Sequence, residues 1–359
     1  MKKIIVLLLA LLLTMSLAAC GTVEKTQEIM ENVAVEGELT VEEVTEEATE
    51  EAEELSAYPV TIVDQAGREV VIEEYPETLV SGYYISSSAL IALGQTDKFV
   101  GIEAKADKRP IYSFAAPELI ELPSVGSAKE FDLEGCIALE PDLVILPQKL
   151  KDAAATMEEM GMDVLLVNPE NGELLTEMIW MLGAALDCSV RAEELVTAMN
   201  GIETEIAAAV ASEEAPTVYL AGNSSFLSTA PNGMYQSDLI AMAGGINVAA
   251  EVEDTYWVDV SYEQVLAWDP EYIILASDAS YGIEDVYNDP ALAGCTAVAE
   301  GRVYQMPSDI EAWDSPVPGG ILGAAWIANI LHPEAVTVEH FAQFSTDFYE
   351  TFYGLVYES

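Results

Sequence analysis

The feature that most constrains the fold is an internal repeat. Residues 131–146 align without gaps on residues 260–275, an offset of 129 positions. In each copy a polar residue able to cap a helix (Asp132, Ser261) precedes a short amphipathic stretch. Each copy then breaks at an acid-Pro pair (Glu140-Pro141, Asp269-Pro270) and continues as a continuous apolar run. A helix start, a breaker and a buried strand in that order form one helix-to-strand unit. A chain that makes this unit twice, so far apart, is directed towards two α/β lobes of similar build.

The rest of the pattern agrees. Val60–Val63 and Glu69–Ile72 read as a hairpin around Asp64-Gln65-Ala66-Gly67. Short apolar strands are predicted at Thr78–Gly82, Phe99–Ile102, Asp142–Leu146 and Asp163–Val167, and after Pro216 at Thr217–Ala221, Tyr272–Leu275 and Val303–Met306. Helical stretches near Ser87–Leu93, Asp132–Leu139, Leu150–Met160 and Gly320–Leu331 fall between or after them. Strands alternating with helices predict Rossmann-like lobes with mainly parallel sheets. Between the two series, Leu195, Met199, Ile202, Ile206 and Val210 share one helical face. A helix of about 21 residues is roughly 30 Å long, enough to bridge two lobes as a stiff connector. The expected organisation is a first lobe over 58–189, an interlobe helix over 190–211 and a second lobe over 212–359.

Charge narrows the partners. Lys and Arg number 13 against 63 Asp and Glu, a formal net charge of −50. A nucleic-acid partner is disfavoured, because displacing phosphate counterions needs cations. The few cations are unevenly placed. Lys98, Lys105, Lys108, Arg109, Lys129, Lys149 and Lys151 crowd one stretch, whereas from Pro216 onwards there is only Arg302. An anion would therefore be met by the first lobe. The two histidines, His332 and His340, both lie late in the chain and are expected as helix-end and surface residues; they supply no metal set shared between lobes. Cys136, Cys188 and Cys295 lack C-x-x-C spacing and are odd in number, which points to free buried thiols.

The front end reads as processed. Lys2 and Lys3 precede the apolar run Ile4–Leu13, which has the length of a signal-peptide core and is short for a membrane span. It closes on Leu17-Ala18-Ala19-Cys20-Gly21, which resembles the bacterial lipobox. The resemblance implies a signal peptide over 1–19 and a lipid-bearing Cys20, hence a membrane-anchored, extracytoplasmic protein. Residues 20–57, rich in Glu, are expected as an acidic flexible tether.

The lipobox, acidic tether, hairpin, twice-used E-x-x-x-A-x-[acid]-P segment and linking helix together resemble substrate-binding lipoproteins of ABC importers, specifically the iron-complex and vitamin B12 group. Residues 93–101, 140–145 and 243–247 are also similar to segments of that group. The resemblance implies two lobes bridged by one long helix (the class III binding-protein arrangement), cargo in the cleft, no enzymatic chemistry and no cofactor. It further implies a monomer that delivers cargo to a permease dimer with a cytoplasmic ATPase. Glu134 and Glu263 match the family's permease-docking glutamates; their place in a first helical turn equally favours the helix N-terminus.

Ligands of open parallel sheets sit beyond the carboxyl ends of the strands. The loops there offer Tyr83, Tyr84, Ser86, Arg109 and Tyr112 on the first lobe and Asn223 and Phe226 on the second. Lys105–Tyr112 and Gln148 on the first lobe and Ser277–Tyr281 and Ser308–Trp313 on the second lie in the same kind of loop, Trp313 as a wall of the pocket. Tyr235, Tyr256 and Trp257 stand in loop-like surroundings and, with Trp313, are added as ligand-binding residues. Aromatics suit a chelate with apolar faces, and Arg109 suits an anionic group through paired hydrogen bonds. The expected cargo is a metal chelate. A ferric siderophore comes first, then a corrinoid or haem with tyrosinate ligation through Tyr83, Tyr84 or Tyr256, then an oxyanion such as molybdate. Against a surface hydrolase, Gly222-Asn223-Ser224-Ser225-Phe226 does not match G-x-S-x-G, and neither a phosphate-binding G-x-x-x-x-G-K-[ST] nor a zinc H-E-x-x-H motif occurs. An adhesin would leave the cleft loops without a purpose.

Overall fold

The structure is a computed structural model that describes residues 58–252 and 256–357. The signal peptide, Cys20 and the acidic tether lie outside the described residues.

The chain opens with the expected hairpin, β1 (Val60–Val63) and β2 (Glu69–Ile72), paired antiparallel with Val60 opposite Ile72. The buried Asp64 carboxylate accepts from the amides of Ala66, Arg68 and Leu166, which pins the turn to the edge of the first sheet. Next come β3 (Leu79–Ser81), α1 (Tyr84–Ala92), β4 (Phe99–Ile102), α2 (Pro110–Ala115), the short pair β5 (Gly126–Ser127) and β6 (Glu130–Phe131), and α3 (Leu133–Ala138). The first lobe finishes with β7 (Leu143–Pro147), α4 (Lys151–Glu158), β8 (Asp163–Val167) and α5 (Gly172–Ala185). Its sheet is all parallel in the order β4-β3-β7-β8.

Helix α6 (Ser189–Val210) leads to the second lobe: β9 (Thr217–Ala221), β10 (Ser228–Thr229), α7 (Tyr235–Met242), β11 (Ile246–Asn247), β12 (Val258–Asp259), α8 (Tyr262–Trp268) and β13 (Tyr272–Leu275). After these come α9 (Ile283–Tyr287), α10 (Thr296–Ala299), β14 (Val303–Gln305), α11 (Ile321–Leu331) and α12 (Val338–Tyr353). Strands β9, β13 and β14 are parallel, while β10 and β12 add an antiparallel edge. Both repeat copies therefore end in a central parallel strand. Their helices are capped alike, Asp132 accepting from the Gly135 amide at 2.9 Å and Ser261 from the Gln264 amide at 3.2 Å.

Alternating strand side chains sort into separate cores. Leu143 and Ile145 of β7 and Val218 and Leu220 of β9 join one cluster that runs along α6 through both lobes. Val144 and Leu146 belong to a satellite cluster of the first lobe, and Tyr219 and Ala221 to one of the second. On α6, Leu195, Met199, Ile202 and Ile206 are buried as the spacing predicts.

The connector is not alone, however. Helix α12 packs on α11 of the second lobe and reaches back to α1 of the first. There Arg191, at the start of α6, donates to the Thr351 carbonyl at 2.7 Å and stacks over Phe352. Helix α6 thus bridges the two lobes with α12 packed beside it. A shared, close-packed core resists independent lobe motion.

Candidate functional site

A cavity of about 400 Å³ opens between the lobes. Its first wall comes from α1, the loop after β4 and α2: Tyr84, Ser88, Lys105, Lys108, Arg109 and Tyr112. Its second wall comes from the loops after β9, β13 and β14: Asn223, Asp278, Ser308, Glu311 and Ser315 among them. Every contributor to this second wall follows the carboxyl end of a parallel strand, the position that open α/β sheets use for ligands.

On the first wall, Lys105 takes a left-handed conformation (φ 67°) that tightens the loop and lets Arg109 Nη1 donate to its carbonyl at 3.4 Å. The Arg109 guanidinium lies 4.2 Å from the centre of the Tyr84 ring, a cation–π contact that holds it flat against the cavity. Lys108 pairs with Asp107 at 2.8 Å. Among the described residues no carboxylate lies within ion-pairing distance of Lys105 or Arg109. Behind this wall the buried Glu103 accepts from Tyr112 Oη at 2.6 Å and Ser87 Oγ at 2.7 Å. Burial pushes its carboxyl above the ordinary carboxylate range, against those hydrogen bonds.

The second wall is held from within. Glu311 is buried. It accepts from Ser88 Oγ at 2.5 Å and from Tyr349 Oη at 3.4 Å. Burial pushes its carboxyl up to about 7, opposed by the hydroxyls of Ser88, Tyr349 and Tyr353. Gly319 leaves room for this carboxyl, since a Cβ there would meet Glu311 Oε2 and force it to shift. Asp314, also buried, is raised by desolvation. Tyr84 Oη donates to Ser315 Oγ at 3.1 Å and ties the two walls together.

Of the residues expected from sequence, Tyr84, Arg109, Tyr112 and Asn223 line the cavity. Others do not, for definable packing reasons. Ser86 is fully buried and bonds to Ser81 Oγ and the Tyr83 carbonyl. Tyr83 sets its ring edge-on against Tyr84 and packs on the core. Phe226 is enclosed by Tyr219, Tyr262 and Tyr281. Tyr235 is buried at the start of α7, beside Gly320. Trp313 points away from the cleft, its Nε1 donating to Tyr349 Oη at 2.8 Å and its ring meeting Phe341 edge-on. Trp257 covers Gly222 at the end of β9, and Tyr256 sits 6.0 Å from Lys149 of the other lobe. Glu134 and Glu263 are exposed on α3 and α8. His332 caps α11 but is buried, contrary to its expected surface place, whereas His340 is exposed. Cys136 and Cys295 are buried free thiols; Cys188 is free and half-buried. Ser88 and Ser315 were not singled out, and small hydroxyls leave no distinctive mark in a sequence.

The periplasmic binding protein profile matches residues 79–310, more than half of the chain. The chain belongs to the periplasmic binding protein family. Among relatives of this binding protein is the molybdate-binding protein MolA of Haemophilus influenzae, 24% identical over 83% of this chain and 92% of that one. The structure of MolA bound to molybdate superposes with a TM-score of 0.73, at 23% identity over 83% of this chain and 99% of MolA, and establishes the shared fold. An uncharacterized ABC transporter substrate-binding lipoprotein of Bacillus subtilis, YvrC, is 25% identical over 77% of this chain and 87% of its own. A cobalamin-binding protein of Halobacterium salinarum is 23% identical over 77% and 75%. The protein is thus an extracytoplasmic substrate-binding component of an ABC importer, not an enzyme, and its two parallel-sheet lobes are those of the class III binding proteins.

Proposed function

We propose that this binding protein captures a small oxyanion of the molybdate type, or a compact anionic chelate, in the interlobe cavity. Arg109 and Lys105 meet the charge, and Tyr84, Asn223, Ser308 and Ser315 supply hydroxyl and amide partners. The observation that carries this reading is a pair of cations left without carboxylates in a body so rich in them. Two cations that line the cavity without ion-pair partners among the described residues are arranged for an incoming anion. The volume of about 400 Å³ lies near the low end of ligand sites, which run from roughly 300 to 1,000 Å³. It favours an oxyanion over the bulkier ferric siderophore, corrinoid or haem that the aromatic count suggests, since most of those rings are packed elsewhere. The molybdate relative supports the same order.

In this reading Cys20 carries the lipid that holds the protein to the membrane. Glu134 and Glu263 meet the permease dimer, and the protein acts as a monomer. Titration calorimetry and native mass spectrometry of the purified protein would decide the cargo, with molybdate, tungstate, ferric siderophores, cobalamin and haem compared side by side. One-to-one binding of molybdate or tungstate is expected. Tight binding of a siderophore, cobalamin or haem, with none of either oxyanion, would overturn the proposal.

A further inference from the structure

The mechanism of anion capture by the first wall leaves one feature of the cavity unused, the carboxyl of Glu311. It lines the cavity together with Ser88, it is only 6% exposed, and it crosses the lobe boundary through its bond to Ser88 on α1. Among the described residues no Lys or Arg pairs with it. Its ionisable neighbours come from several elements. Tyr349 and Tyr353 face it from α12, Tyr235 from α7, and Tyr84 stands on α1 of the same cavity. Asp309 and Asp314 share its loop, and Asp278 stands on the same wall, while Lys105 and Arg109 occupy the other.

We propose that Glu311 makes anion capture proton-linked: its carboxyl takes up a proton from solvent as the anion enters the cavity and gives it back on release. The inference rests on the oxyanion reading above. The physical argument is one of like charge. A carboxylate beside an incoming anion in a poorly solvated space must be screened by a cation or neutralised, and the cations here stand on the wall across the cavity. Protonation is the remaining route, and burial has already brought the group to about 7. By reciprocity, whatever the anion does to the proton the proton does to the anion, so affinity weakens as pH rises past that value.

The test is the dissociation constant for molybdate between pH 6 and 9, a range in which molybdate stays a dianion, for the wild type, Glu311→Gln and Ser88→Ala. Calorimetry in two buffers of different ionisation enthalpy reads proton uptake directly. The wild type is expected to weaken by up to tenfold per pH unit above about 7 and to take up a proton on binding. Glu311→Gln should bind with an affinity flat in pH. Ser88→Ala removes a hydroxyl that favours the charged carboxylate, so the weakening should begin at higher pH. Without ligand, the raised value means that Glu311 supports the fold below the ordinary carboxylate range and loses that support as pH climbs to about 7. Glu311→Gln should therefore gain stability over the wild type across the same window. Parallel wild-type and Gln profiles, or no proton uptake by the wild type, would overturn the coupling while leaving the oxyanion reading intact. Failure of the wild type to bind molybdate even at pH 6 would overturn both. If Glu311→Gln does not fold, an unmoved Ser88→Ala profile overturns the coupling by itself.

Discussion

The two walls of the cavity are built on opposite plans. The first presents Lys105 and Lys108 to solvent and Arg109 half-buried, on a segment anchored in the core by Ala106, Ile111 and Tyr112. The second is carved from the core: Glu311 and Val317 are buried in it, Trp313 and Asp314 are buried behind it, and Gly319 and Gly320 pass close to Glu311 and Tyr235. The scaffold beneath is duplicated, since β7 and β13 occupy matching places and α3 and α8 are capped alike. The chemistry is not duplicated. One wall supplies charge that can be altered at small cost to the fold; the other supplies rigidity and a carboxyl whose state depends on its burial. Function in a duplicated scaffold lies where the copies cease to match.

The largest effect that would sharpen this contrast is at Trp313. Its ring is buried against Phe341 and Tyr357 and its Nε1–H satisfies Tyr349. Trp313→Ala should cost about 3–5 kcal/mol of unfolding free energy, the range for removing a large buried ring, read by urea denaturation. If the segment behind the second wall were not anchored in the core, stability would hardly move.

Arg109→Ala gives the opposite signature. The side chain is half-buried and donates only a long bond to the Lys105 carbonyl, so unfolding free energy should change by less than about 1 kcal/mol. Affinity for an anion should fall by roughly 10- to 100-fold, the size of a lost charge-assisted hydrogen bond of about 1.5–3 kcal/mol. Calorimetry beside denaturation separates the two. Unchanged affinity would remove Arg109 from the site, and a large loss of stability would erase the distinction between the walls.

The contrast also explains what the sequence revealed. Strands such as Asp163–Val167, Thr217–Ala221 and Tyr272–Leu275 lie where the pattern put them, because a short buried apolar run between breakers has few alternatives. Arg109 was legible because cations are scarce and clustered. Glu311 falls in the loop 308–313 that the strand pattern marks for the cleft, but as one acid among 63 it carries no mark of its own; only burial sets it apart. Tyr235 and Trp313 were misplaced because a large ring in a loop-like stretch packs wherever the tertiary fold leaves space, which local pattern does not encode. Helix α1 begins at Tyr84 rather than Ser87, since aromatic and β-branched residues are weak helix signals. The return of α12 to the first lobe has no local signature at all. Phe341, Phe344, Phe348 and Phe352 mark an apolar face, but not the partner that covers it.

The smallest energetic effect concerns the part of the scaffold that is duplicated. Glu134 and Glu263 stand exposed in equivalent first turns. Hydrogen bonds to its own backbone and to Ser261 hold Glu263 below the ordinary carboxylate range, so it stays charged. If the two glutamates dock a two-fold permease as proposed, each exposed ion pair contributes about 0–1 kcal/mol. Glu134→Lys with Glu263→Lys should leave purified-protein affinity for ligand unchanged and lower cargo uptake by cells, measured with labelled ligand. The single reversals should each have an intermediate effect, because either lobe alone retains one contact. A loss of affinity in the purified double variant would show that these residues serve the cleft rather than the docking face. Unaltered uptake would leave them as helix-start acids and nothing more.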